Sequence, residues 1–206
     1  MMKSGVSNRS LGLCVGAGLL LLAGCVHVQP VQRAKVDPLA VPDSRFWTLR
    51  AEQSGISVWC RPLPGQDDGL RYIDADLSDT PVLPFFLLIR NDRDTPISFD
   101  ADRFSLQTGD YRGDAAGFDD VRPSILAGSR STAYSAADLA ALEASFRPLL
   151  LAGGEIPAGG QTWGLLFFQG NRPAGMVQTL RAQLLLQRAR IEGRDVTLPF
   201  ILQPVN

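Results

Sequence analysis

Imidazole is nearly missing from this chain: of 206 residues one is histidine, His27. It lies ahead of every stretch with the periodicity of folded structure. The folded part therefore has no Ser-His-Asp or Cys-His nucleophile arrangement and none of the common zinc ligand sets. Cysteine is also scarce, limited to Cys14, Cys25 and Cys60. Lysine occurs only at positions 3 and 35, against 18 arginines, and the formal net charge is −1. Without a clustered basic surface to displace counterions, a dedicated nucleic-acid binder is excluded. No Gly-x-Ser-x-Gly elbow and no phosphate-binding glycine loop follows a strand, so no cofactor is expected. Only one apolar run approaches membrane length, which excludes a polytopic membrane protein. Apolar side chains are not scarce: at 45% they suffice for a packed core.

That one long run is at the amino terminus. Lys3 and Arg9 give a positive start, and Leu11 to Gly24, LGLCVGAGLLLLAG, is uncharged. Fourteen residues are too few to span a bilayer as a helix but suit a signal-peptide apolar region. The run ends in Leu22-Ala23-Gly24-Cys25, small residues that give a peptidase room, followed by a thiol able to accept a lipid. This segment resembles the bacterial lipoprotein signal with its lipobox. The resemblance implies cleavage before Cys25, diacylglycerol on its sulfur and an acyl chain such as palmitate on the new amino terminus. Buried acyl chains contribute about 0.8 kcal/mol per CH₂, so several hold a protein stably on a membrane. The residue after Cys25 is Val26, not the Asp that often retains Gram-negative lipoproteins in the inner membrane. By that resemblance the destination is the outer membrane.

Removal of residues 1–24 takes away Lys3, Arg9 and Cys14, leaving 18 basic and 21 acidic residues, a net charge of −3. With Cys25 lipidated, Cys60 is the only thiol left, so no internal disulfide forms and the core must hold the fold. Cys60 follows Trp59 in an apolar segment and reads as a small buried hydrophobe. Residues 25–45 contain Pro30, Pro38 and Pro42 with no sustained period, as a tether does. A folded domain is expected over 46–206.

Within it, strand signals repeat. ISVWCRP (56–62), VLPFFLLI (82–89), ISF (97–99), RFSLQ (103–107), TWGLLFFQ (162–169), 177–187 and 196–202 are strand-length segments between turn residues. Asn91 to Pro96 and Glu192-Gly193 read as turns. Ser135 to Phe146 reads as a capped helix with Leu139, Leu142 and Phe146 on one stripe, ended by Pro148. The stretch 108–134 reads as a long loop or a packed irregular excursion. The expected fold is an antiparallel β-sandwich of about seven strands with one inserted helix near 135–147. The runs at 82–89 and 162–169 are apolar on both faces. Either the outer one is covered, most cheaply by the helix laying Leu139, Leu142 and Phe146 on it, or it is an exposed apolar patch of the kind that marks an interaction site.

The segments VLPFFLLIRNDRDTPISFDADRFSLQTGD and IPAGGQTWGLLFFQ resemble the immunoglobulin-like domains of uncharacterised bacterial lipoproteins. The resemblance implies a fold and no activity. Thirteen aspartates between Asp67 and Asp120 are the remaining chemistry. No stretch fits a 12-residue calcium loop, and aspartate is a favoured turn residue with Arg71, Arg90, Arg93, Arg103 and Arg112 near to pair with it. No metal site is expected. The chain as a whole reads as a non-enzymatic envelope lipoprotein, a binding or structural module. Its partners are the membrane, through lipid on Cys25, and another envelope protein. An assembly or chaperone factor and a carboxylate-dependent hydrolase are the alternatives.

Overall fold

A computed structural model describes residues 36, 37, 40–128, 135–177 and 182–205. Cys25 and the segment before Val36 lie outside the described residues. Two tight hairpins set the frame. Ser54-Gly55 (φ 54° and 72°) folds strand β1 (Leu49–Gln53) onto β2 (Ile56–Pro62). Glu192-Gly193 (φ 50° and 76°) folds β9 (Ala182–Ile191) onto β10 (Arg194–Pro204). Two consecutive residues at positive φ give the turn whose twist matches that of paired strands.

The other strands are β3 (Val82–Asn91), β4 (Ile97–Phe99), β5 (Phe104–Thr108), β6 (Tyr111–Ala116), β7 (Gly154–Ile156) and β8 (Gln161–Gly170). Neighbours run in the order β10-β1-β2-β3-β8-β6-β5-β9, and β9 pairs back onto β10. Eight antiparallel strands thus close into a barrel, with β4 and β7 as additions beside the end of β9.

The expected immunoglobulin-like β-sandwich is therefore wrong. Two contacts close the sheet. β9 is ten residues long and uses both edges, one for β10 and the other for β5 and β4. β10 has an irregular register between Val196 and Leu198, then carries Gln203 and Pro204 to Arg50 and Leu49 of β1. A sandwich and a barrel both bury alternate residues, so the alternation that supports one supports the other.

The barrel interior is filled. Phe85, Phe104, Tyr111, Phe168 and Phe200 are at most 1% exposed and pack with Ile56, Val58, Cys60 and Leu184. An eight-stranded barrel is just wide enough for side chains to fill it, and here they do. Tyr111 lies over the facing pair Gly113 and Gly170 and donates its hydroxyl to the Phe168 carbonyl at 3.0 Å. A Cβ on Gly170 would sit 2.3 Å from the Tyr111 ring, so only glycine admits the ring there.

A second core lies outside the barrel. On β3 and β8 the alternate residues Val82, Phe86, Leu88, Leu165 and Phe167 point outward and are also buried. Three helices cover them: α1 (Gln66–Tyr72), α2 (Phe118–Gly128) and α3 (Ala136–Phe146). Helix α3 sits where the sequence places it, with Ser135 and Asp138 forming a capping box. Its Leu142 and Phe146 are buried under the sheet, while Leu139 is half-buried. The cover is broader than one helix. The stretch read as a loop holds β6 and α2, whose Val121 and Ile125 join this core. Pro123 within α2 and the small residues of β6 hide both elements from a periodicity reading. Among the described residues no helix is long and apolar enough to cross a membrane.

Candidate functional site

The aspartates do not assemble. Asp68 pairs with Arg61 at 3.3 Å, Asp92 with Arg90 at 2.5 Å, and Asp119 with Arg122 at 3.2 Å. Asp110 pairs with Arg172. Asp76 accepts from the amide and hydroxyl of Ser78, as an aspartate shaping a turn does. Among the described residues, no group of three or more His, Cys, Asp or Glu side chains is placed to hold a metal ion. Cys60 is fully buried in the barrel, and desolvation pushes its thiol well above the ordinary value. It stays protonated and inaccessible, so it is no nucleophile.

The barrel interior being full, a ligand or partner must be met on the outside. One place is a strip of the outer sheet beside the helices. Strand register sets Arg50, Trp59, Leu88 and Trp163 in one row across β1, β2, β3 and β8. Arg90 stands two residues along β3 from Leu88, on the same face. The guanidinium carbons of Arg50 and Arg90 lie 5.1 Å and 4.9 Å from the centre of the Trp59 ring. Each such contact is worth about 0.5–1 kcal/mol at an exposed site. Trp59 and Trp163 are half-buried. Trp163 leans on Phe86, centroids 6.4 Å apart, so the strip continues the second core to the surface.

The cations of this strip are held by acids at its rim. Arg50 donates to Glu52 at 3.3 Å. Arg90 donates through Nε and Nη2 to the two oxygens of Asp92, which also accepts the Ser57 hydroxyl at 2.7 Å. These hydrogen bonds, Arg90's first and then Ser57's, hold the Asp92 carboxyl below the usual aspartate range. The result is a partly exposed contact surface of two indoles and two guanidinium groups, each guanidinium paired with a carboxylate of its own strand. Trp and Arg are the residue types that carry most binding energy at protein interfaces. Trp59 and Trp163 read in sequence as core. Only their register beside Arg50 and Arg90 shows that they are half core and half surface.

A second place is a cleft under the helices. β6 leaves β8 after Ala116, and Leu151 takes over the β8 edge, donating its amide to Leu165 O at 2.9 Å. There a hollow of about 220 Å³ is lined mainly by apolar side chains, among them Ala115, Ala116, Phe118 and Leu150. A neighbouring hollow of about 320 Å³ shares Gly117, Phe118 and Leu150 with it and is rimmed by Asp119, Asp120, Glu143 and Arg147. Glu143 and Arg147 pair with each other, and Asp120 accepts from the Gly117 amide. The two hollows lie at or below the lower limit of small-ligand sites.

No protein-family model and no curated protein matches the sequence. Among solved structures, the chain is similar to a functionally unknown protein from Listeria monocytogenes EGD-e. The two are 12% identical over 73% of this chain and 80% of that one, with a TM-score of 0.32. A likeness of that size carries no argument for fold or function.

Proposed function

We propose that this protein is a cell-envelope lipoprotein: residues 1–24 direct export, Cys25 carries the lipid, residues 25–45 are the tether, and the barrel is a non-enzymatic binding or structural module. The observation that carries the reading is the ordered leader: positive start, apolar Leu11–Gly24, then Leu22-Ala23-Gly24-Cys25. Val26 after the lipidated cysteine directs the protein to the outer membrane in a Gram-negative cell. The partner is an envelope protein met through the Arg50–Trp59–Arg90–Trp163 strip, which supports this reading by its composition and its partial exposure.

Replacing Cys25 by Ser tests the anchor. The wild-type chain is expected in the membrane fraction at the mass of a triacylated chain starting at residue 25. The Cys25→Ser chain should stay unprocessed or appear in the soluble fraction. Normal processing and unchanged membrane retention of Cys25→Ser would end the proposal. Trp59→Ala tests the surface: it should weaken capture of the native partner at least tenfold while leaving membrane anchoring unchanged.

A further inference from the structure

The outer face of β9, β5 and β6 is a grid whose two rows are fixed by register. In one row Gln183 of β9 faces Gln107 of β5, which faces Arg112 of β6. In the other Leu185 faces Ser105, which faces Asp114. The residues between them, Leu184, Leu106 and Gly113, are buried, so these six side chains share the outer face. Ser105, in the middle of its row, is the shortest of the six, and the surface dips there. The hollow has a volume of about 240 Å³ and is walled by the other five. That is less than the roughly 300 Å³ at which drug-sized sites begin, so only a small molecule fits.

The polar groups around this dip are spare. Among the described residues, the side chains of Ser105, Gln107, Arg112, Asp114 and Gln183 make no hydrogen bond or ion pair. The same spacing behaves differently elsewhere on the barrel. Arg50 and Glu52 on β1, and Arg90 and Asp92 on β3, also stand two residues apart on an outer face, and both pairs close, at 3.3 and 2.5 Å. Arg112 and Asp114 stand two residues apart on β6, about 7 Å along the strand, and stay open. A cation and an anion are thus left side by side at the edge of one hollow, with an apolar wall, Leu185, across Ser105 from the anion.

We propose that this hollow binds a small zwitterion, an α-amino acid with an apolar side chain. Its carboxylate meets the Arg112 guanidinium and the Gln107 amide, its ammonium meets Asp114 and the Ser105 hydroxyl, and its side chain lies on Leu185. Hydrogen bonds to ionised groups are the stronger kind, and here the site offers one of each sign. Both charges must arrive on one small molecule. An anion alone gains Arg112 but is repelled by Asp114, and a cation alone meets the reverse. The site depends on neither the lipid anchor nor the Arg50–Trp59–Arg90–Trp163 strip.

The test titrates the full chain, in detergent micelles, with L-leucine and follows the backbone amide signals by NMR. Exposed ion pairs are individually weak, so the titration runs to about 50 mM ligand. Leucine should shift the amides of Ser105, Gln107, Asp114, Gln183 and Leu185. Leucinamide, which lacks the carboxylate, and N-acetylleucine, which lacks the ammonium, should each bind at least fivefold more weakly. Arg112→Gln and Asp114→Asn should each weaken leucine at least fivefold. Both side chains are exposed and unpaired, so the thermal midpoint should not move. Arg194→Gln, at an exposed arginine elsewhere, should bind leucine as the wild type does. No shift of these amides with leucine, valine or phenylalanine overturns the proposal. So does equal binding of leucinamide or N-acetylleucine, or leucine binding that neither Arg112→Gln nor Asp114→Asn weakens.

Discussion

Placing a charge at Leu142 tests whether the helical cover is part of the folded unit. Leu142 is 4% exposed and sits in the outer core with Phe86, Phe167 and Phe146. Leu142→Asp sets a carboxylate there, and the protein has two responses. It can keep α3 docked, losing about 2 kcal/mol of apolar burial and adding the cost of an unpaired buried charge. Or it can release α3, which also frees Phe146 from Phe118 and Phe167, at 5.5 and 6.4 Å between ring centres. Losing a buried phenylalanine costs about 3–5 kcal/mol, so the two responses converge near 4 kcal/mol. With a urea m-value of about 2 kcal/mol/M, the unfolding midpoint falls by about 2 M. Ala140→Asp is the control, exposed on the same helix, and costs no more than about 0.7 kcal/mol of helix propensity. Amide exchange on α3 accompanies the urea titration, so a local release of the helix is seen as faster exchange there. If Leu142→Asp matches Ala140→Asp in both midpoint and exchange, the helix does not hold the outer sheet and the reasoning fails.

Three further outcomes follow from particular contacts. Gly170→Ala pushes a Cβ to 2.3 Å from the Tyr111 ring and should destabilise by about 2–3 kcal/mol in the same titration, against little for Gly65→Ala, where a Cβ meets nothing within 4 Å. Asn91→Ala removes the amide that serves three carbonyls, those of Thr95, Ile156 and Pro157, and should cost about 2–4 kcal/mol, visible as a lower thermal midpoint. Asp92 titrates below the ordinary aspartate value in the fold, so the stability it contributes is present above about pH 4, the unfolded value, and is lost as pH falls through the lower folded one. Ser57→Ala removes one of the hydrogen bonds behind that shift, so it should shrink the acid-induced drop in thermal midpoint below pH 4. An unchanged pH profile would refute the assignment.

Some of this protein is written in local sequence. Helix α3 is visible because Ser135 and Asp138 cap it and Leu142 and Phe146 repeat at helical spacing. The hairpin at Glu192-Gly193 is visible because glycine accepts positive φ. The strands β3 and β8 are visible as apolar runs, and their double-faced apolarity calls for either a cover or an exposed apolar patch; the structure supplies the cover. Helix α2 is not visible, because Pro123 interrupts its stripe and its two buried residues, Val121 and Ile125, are too few to set a period. The Arg50–Trp59–Arg90–Trp163 strip is not visible either, since its members come from four strands and meet only through register.

The sequence by itself determined that the chain is mainly β, that β3 and β8 are apolar on both faces, and that the folded part has no histidine chemistry. These follow from residue type and spacing along one strand. Only the tertiary structure decided that the sheet closes into a barrel. Closure depends on whether Gln203 and Pro204, at the end of the last strand, reach Arg50 and Leu49, at the start of the first. Accumulated twist, the register irregularity in β10 and the length of β9 settle that over 150 residues of intervening chain. Inward alternation is the same in a sandwich and a barrel, so no local pattern records the difference.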